Sequence, residues 1–186
     1  MTNSTPRIPP LPPEEWTDAA RDVFGYWEGE EARQHGSRSN TMMTMAHHPK
    51  LAIASLDLGK YFMRESTLSG RWQRMIVLRV AHLTGSHYQW AHNSALAVKA
   101  GNMSEAEVAA LKETPLQGPW TPTERTMLLA IDQLNAGGRI DDQTWSELAH
   151  LLDRKQILDL IQAAGYFTMI AWTIVAAGVQ LEPGVG

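Results

Sequence analysis

Apolar residues recur at helical spacing along most of this chain, and no stretch alternates with period two between turn signals. The pattern predicts an all-α fold, a single-domain bundle of about eight helices. Residues 1–12 are rich in proline and predict an extended arm; the helical domain then occupies 13–183. Pro13-Glu14-Glu15 opens a helix, with proline in the first turn and acids at the positive end of the dipole. Trp16, Ala19, Ala20, Val23, Phe24 and Trp27 continue it at helical spacing. Residues 29–40 are charged and contain glycine, which predicts a mobile loop. A short helix over 41–48 is broken by His48-Pro49, and another helix runs over 50–64.

The densest information lies in 71–101, RWQRMIVLRVAHLTGSHYQWAHNSALAVKAG. It predicts an apolar helix, an interruption at Thr84-Gly85-Ser86, and a second helix crowded with His87, Tyr88, Gln89, Trp90, His92 and Asn93. Downstream, Ser104 with Glu107 and Thr121 with Glu124 have capping-box spacing, the latter with Pro122 at the first helical position. Asp153 with Gln156 is a weaker example. Gly137-Gly138 ends the helix begun at Thr121, and another starts near Asp142. Residues 160–178 are apolar all round except for Gln162. They are long enough to span a bilayer, but they follow a charged amphipathic turn and no basic cluster succeeds them. The run therefore reads as a buried core or interface helix, without a membrane partner.

Composition narrows the chemistry. The chain has 186 residues, 44% of them hydrophobic, and a formal net charge of −4, a balance that gives no reason to expect nucleic acid or an anionic membrane. It contains no cysteine, which excludes disulfides, thiolate nucleophiles and zinc–thiolate sites. Its start has no apolar core of the signal-peptide kind, so a cytoplasmic location is the default expectation. Seven tryptophans and the apolar run at 160–178 predict self-association, since an apolar-all-round helix must be buried.

The seven histidines are His35, His47, His48, His82, His87, His92 and His150. Helical metal-ligand pairs are three or four apart. His82, His87 and His92 are five apart, so at about 100° per residue they point to different sides; neither a metal nor another cofactor is expected. On a continuous helix His82, Ser86, Gln89 and Asn93 share one face, and past a break at Gly85 the last three still do. Tyr88 and His92, four apart, share a neighbouring side. A strip lined by tyrosine and histidine suits a small polar ligand, and histidine can act as general acid or base near neutral pH. The same aromatic groups also suit plain packing, with their polar tips on backbone partners.

The segment LRVAHLTGSHYQWAHNSALAVKAG, residues 78–101, resembles the central motif of the carboxymuconolactone decarboxylase and alkylhydroperoxidase D-like proteins. RIPPLPPEEW, AHHPKLAIASLDLG, WTPTERTMLLAIDQL, DDQTWSELAHLL and GYFTMIAWTIVAAGVQLEPG resemble the longer members of that family in order and spacing. The resemblance covers about 7–183. It implies an all-helical fold with a site beside the central helix pair, completed in a homotrimer or hexamer. The family's reductase motif places Glu, Cys, Cys and His where this chain has Arg74, Ser86, Gln89 and Asn93, so peroxidase chemistry is excluded. Tyr88 fits the residue between the two cysteine positions. Decarboxylase-type members keep a histidine near the end of the motif; here Asn93 takes that place and His92 adjoins it.

Together these readings predict a cofactor-independent lyase or isomerase that decarboxylates or eliminates from a small carboxylated or lactone-like metabolite. His92 would carry the proton. Tyr88 and Asn93 would position or stabilise an oxyanion, Arg74 would hold a carboxylate, and Ser86, Gln89 and His82 would contact the substrate. The alternative is a non-catalytic ligand-binding or structural oligomer. A pocket converging on His92 and Tyr88 would favour the enzyme.

Overall fold

The computed structural model describes residues 5–113 and 117–185; the first four positions of the expected arm lie outside them. Ten α-helices, one more short turn of 3-10 helix and no strand are found among the described residues. The helices are α1 (Asp18–Glu28), α2 (Glu30–His35), α3 (Asn40–Met45), α4 (Pro49–Arg64), α5 (Gly70–Leu83), α6 (His87–Lys99), α7 (Glu105–Ala110), α8 (Pro122–Gly137), α9 (Asp142–Leu151) and α10 (Arg154–Ala177). They form two compact units, one from residues up to Tyr61 together with those from Thr173, the other from Phe62–Trp172.

The count exceeds the eight expected, for local reasons. Pro13–Glu15 makes only a 3-10 turn, and the first α-helix starts afresh at Asp18 because the Thr17 side chain caps the Ala20 amide. The stretch 29–40, expected as a loop, contains α2: Gly29 and Gly36 adopt positive φ at its two ends, and Glu30 and Glu31 sit in its first turn. At Gly36 the indole of Trp16 leaves no room for a Cβ, and that indole donates to the Leu11 carbonyl and packs edge-on against Phe24. Val23, Phe24, Ala52 and Leu56 fill the core around them. The described part of the arm is anchored. The Arg7 and Ile8 amides donate to the Ala177 carbonyl, and Leu11 donates to Met43.

In the second unit α5 is central, packed on α6 and on α8. Residues 75 to 81 are buried without a break, and the one charged member, Arg79, is paired with Asp132 at 2.7 Å and donates to the Leu111 carbonyl. The expected interruption is a Schellman stop: Gly85 takes φ +67°, its amide donates to His82, and the Ser86 amide donates to Ala81. The same motif closes α6, with Gly101 at φ +68° and the Asn102 amide on the Ala97 carbonyl.

Both expected capping boxes form, at Ser104–Glu107 and Thr121–Glu124, and Asp153 and Gln156 exchange side-chain and backbone bonds in the same way. Arg71 joins the two capping glutamates, at 2.7 Å to Glu107 and 2.6 Å to Glu124, and donates to the Asn102 carbonyl. Its hydrogen bond, with that of the Ser104 amide, holds the Glu107 carboxyl down to about 2. Burial pushes the Glu124 carboxyl up, but the bonds from Arg71 and Thr121 outweigh it, and it titrates below its usual range. A Thr121→Ala change removes one acceptor from this arrangement and is expected to cost about 1 kcal/mol in urea unfolding; no loss would show that the box contributes nothing.

Candidate active site

The helix pair α5–α6 carries most of the expected site residues, in two separate contacts. Tyr88 and His92 lie one turn apart on α6 with ring centroids 4.5 Å apart and planes inclined by 39°. Tyr88 is buried and His92 half-buried. Across the helix pair, the Arg74 guanidinium on α5 donates to Asn93 Oδ1 at 2.6 Å. Asn93 Nδ2 in turn donates to the Gln89 carbonyl at 2.9 Å. Both ends of the Asn93 amide are thus engaged, and it orients Arg74 more directly than it offers a free donor to an oxyanion.

Arg74 is half-buried, and burial lowers the affinity of its guanidinium for the proton. Among the described residues it forms no ion pair. A cation withdrawn from water without a counter-charge is costly. Arg74 lines a cavity of about 310 Å³ together with Arg64, Ser66, Gln73 and Asn102, at the small end of ligand-pocket volumes. Tyr88 and His92 are not among the residues that line that cavity.

Ser86 and Gln89, also on the face predicted for them, are 1% and 4% exposed. Gln89 Nε2 donates to the Phe167 carbonyl on α10, while its Oε1 and the Ser86 Oγ have no protein partner. Ser86 precedes α6 without capping it. These two atoms are the unsatisfied polar positions beside the Tyr88–His92 pair in sequence.

His82 goes elsewhere. The Gly85 stop turns α6 away from the path of α5, so His82 does not continue the Ser86–Gln89–Asn93 face. It is exposed, edge-on to the Trp90 ring at 6.4 Å, and Lys112 lies over the same ring. Partial desolvation against its neighbours and the cations Arg79 and Lys112 hold His82 below the usual imidazole range, which favours its neutral form. His47 Nε2 donates to the Pro9 carbonyl at 3.0 Å in the other unit. Among the described residues, no group of three or more His, Asp or Glu side chains is placed to hold a metal ion.

Sequence reasoning missed Arg64, Gln73 and Asn102. The first two are ordinary polar residues on helices. Asn102 is set in place by the turn at Gly101 that closes α6.

No family model and no curated protein sequence matches the chain. Its architecture matches solved structures closely. An uncharacterised peroxidase-related protein from Silicibacter sp. TM1040 superposes with a TM-score of 0.78 at 18% identity, over 97% of this chain and 94% of that one. An uncharacterised peroxidase-related protein from Ralstonia eutropha JMP134, described as an alkylhydroperoxidase AhpD core, gives 0.77 at 16% identity, over 97% and 95%. The debrominase Bmp8, as a cysteine-to-alanine variant in complex with 2,3,4-tribromopyrrole, gives 0.76 at 19% identity, over 98% and 94%. The helical order, the central α5–α6 pair and this near-complete superposition together show that the chain has the fold of the alkylhydroperoxidase D and carboxymuconolactone decarboxylase proteins.

Proposed function

We propose that the protein is a cofactor-independent lyase or isomerase acting on a small carboxylated or lactone-like molecule. The observation that carries this reading is Arg74, fixed by Asn93 beside a small cavity and lacking a carboxylate partner among the described residues. A substrate carboxylate supplies the missing charge, in the forked geometry that guanidinium favours. In a decarboxylation the bond from the carbon framework to a second carboxylate breaks and carbon dioxide leaves. The electron pair moves onto an enolate oxygen, stabilised by hydrogen-bond donors such as the Tyr88 hydroxyl. His92 then returns a proton to carbon. Asn93 positions Arg74, and Ser86 and Gln89 offer their unpaired oxygens to a polar group of the substrate. The debrominase of the same fold, crystallised with a brominated pyrrole, supports a small ring as the kind of molecule bound. With no cysteine in this chain, the chemistry rests on acid–base groups.

The reading is tested by incubating the protein with a panel of unsaturated lactone and keto carboxylates and following carbon dioxide release and deuterium uptake by NMR. Turnover that disappears in Arg74→Gln supports it. Saturable binding of the panel without turnover would favour the second reading, a ligand-binding protein, for which the observation is that Tyr88 and His92 do not line the Arg74 cavity.

We further propose self-association, as a trimer or a hexamer, at the α10 surface. Helix α10 is long and apolar enough to cross a membrane, and only 39% of its most apolar window is buried. Leu158, Met169 and Trp172 are 61%, 42% and 65% exposed and lie within about 60° of one another around the helix. A second copy carries the same apolar stripe and can cover it. Light scattering at micromolar concentration is expected to show an oligomer that Trp172→Glu dissociates; a monomeric parent protein would end this proposal. A cytoplasmic location fits the reading.

A further inference from the structure

One methionine shares a recess with two unpaired cations. Met63, next to the last residue of α4, is 60% exposed, more than any other methionine among the described residues. It is also the one methionine that lines the Arg74 cavity. Arg64, which follows it, lines the same cavity, and neither Arg64 nor Arg74 forms an ion pair among the described residues. No aspartate or glutamate lines the recess. The Ser66 hydroxyl is already engaged, donating to Asp159 at 3.1 Å and accepting from the Leu68 amide at 3.2 Å. Gln73 donates to the Leu68 carbonyl at 3.0 Å. A guanidinium carries five N–H donors and no acceptor, and Arg74 gives one of its own to Asn93. The recess is therefore rich in donors and short of acceptors, and the Met63 thioether is only a weak acceptor.

Oxidation of the sulfur supplies the acceptor. We propose that Met63 is a redox-modification site, where a hydroperoxide converts the thioether to the sulfoxide and the Arg64 and Arg74 guanidiniums receive the new oxygen. The sulfur lone pair attacks one peroxide oxygen, the O–O bond breaks, sulfur loses two electrons and the peroxide gains them. The proton on the transferred oxygen passes to the departing hydroxide, which leaves as water. Negative charge develops on that departing oxygen, where cations and N–H donors stabilise it. The product is a polar, chiral side chain whose oxygen competes with an incoming anion for Arg74. One equivalent of oxidant is consumed per chain, and a sulfoxide reductase restores the thioether. The competition rests on the reading of Arg74 as the carboxylate-holding residue; the modification itself does not.

The test treats the full chain with limiting hydrogen peroxide and follows each methionine by peptide mass spectrometry and carbon-13 methyl NMR. Met63 is expected to oxidise ahead of Met169, which is 42% exposed on α10. Arg64→Gln and Arg74→Gln are each expected to slow Met63 by about fivefold, through loss of a charge-assisted bond to the departing oxygen, and to leave Met169 unchanged. A freely rotating sulfoxide forms as two epimers in near-equal amounts, whereas one held by the guanidiniums forms with one epimer in excess, and both variants should abolish that excess. Calorimetry should show acetate binding about fivefold weaker after oxidation of the parent, the scale of one hydrogen bond, and no change on oxidation of Met63→Leu. Far-UV circular dichroism checks the fold of each variant. Oxidation of Met63 no faster than that of Met169, or a rate and epimer ratio indifferent to both arginines, overturns the modification site. Acetate binding that requires Arg74 but is unaffected by the sulfoxide overturns the competition. Acetate binding that is absent before oxidation, or indifferent to Arg74→Gln, overturns the reading of Arg74, and the rate and epimer ratio then decide the modification site by themselves.

Discussion

Arg71→Met is expected to destabilise the protein by about 3 kcal/mol at pH 7, in the range seen when one partner of a buried ion pair is removed. The reason is the number of termini that converge on one side chain. Arg71 bonds the capping glutamates of both α7 and α8 and the carbonyl of Asn102 that follows α6. Methionine preserves the apolar stem but leaves the Glu124 carboxylate, 3% exposed, without its cation. The effect has a pH signature. Glu107 titrates at about 2 when folded, against an ordinary value of 4.5, and Glu124 is shifted in the same direction. Depressed carboxyl values mean stability that is fully present above about pH 4.5 and is lost as the pH falls through about 2. The gap between parent and variant should therefore be widest at neutral pH and close progressively below pH 4.5. Adding Glu124→Gln to Arg71→Met should recover part of the loss. Chemical unfolding at pH 7 and pH 3 measures all of this; a loss below 0.5 kcal/mol in the sense of an ordinary surface pair, or one independent of pH, would mean that Arg71 is only a surface cation.

His92→Ala is expected to lower turnover of a responsive substrate by on the order of 10²–10⁴-fold, the usual contribution of a general acid–base group, while unfolding stays close to that of the parent. His92 stacks on Tyr88 at 4.5 Å, so the change also loosens one ring contact; His92→Phe keeps a ring at that place and should be equally inactive. If turnover survives in His92→Phe but falls in His92→Ala, the ring packs and the proton travels through another group. Tyr88→Phe separates the roles further. Loss of the hydroxyl alone should reduce kcat and leave KM nearly unchanged if that hydroxyl stabilises charge only in the transition state.

The features legible in the amino-acid order are those written in local chemistry. The helical period specified an all-α chain. The Ser104 and Thr121 capping boxes were legible because the residues that exchange those bonds are three apart. The Gly85 break was legible because few residues other than glycine adopt positive φ. The Tyr88–His92 contact follows from a separation of four on one helix. Where local signals were weak, the reading failed: Gly29 and Gly36 signal a loop, yet the six residues after Gly29 close into α2, held by the Arg21 bond to the Gln34 carbonyl and by the Arg33–Asp22 pair.

Which residues meet across the chain depends on how the helices pack. Arg74 and Asn93 are 19 positions apart, and Arg71 and Glu124 are 53 apart. No periodicity within one helix encodes such pairs, since they depend on how α5 packs on its neighbours. The same packing separated His82 from Ser86, which a continuous helix would have aligned, because the Schellman turn at Gly85 redirects the chain. It also placed Arg64 and Asn102, from two different helix ends, at the cavity that Arg74 lines. Sequence patterns report the face a residue occupies on its own element; the counter-charge it lacks becomes visible only once every other element is in place.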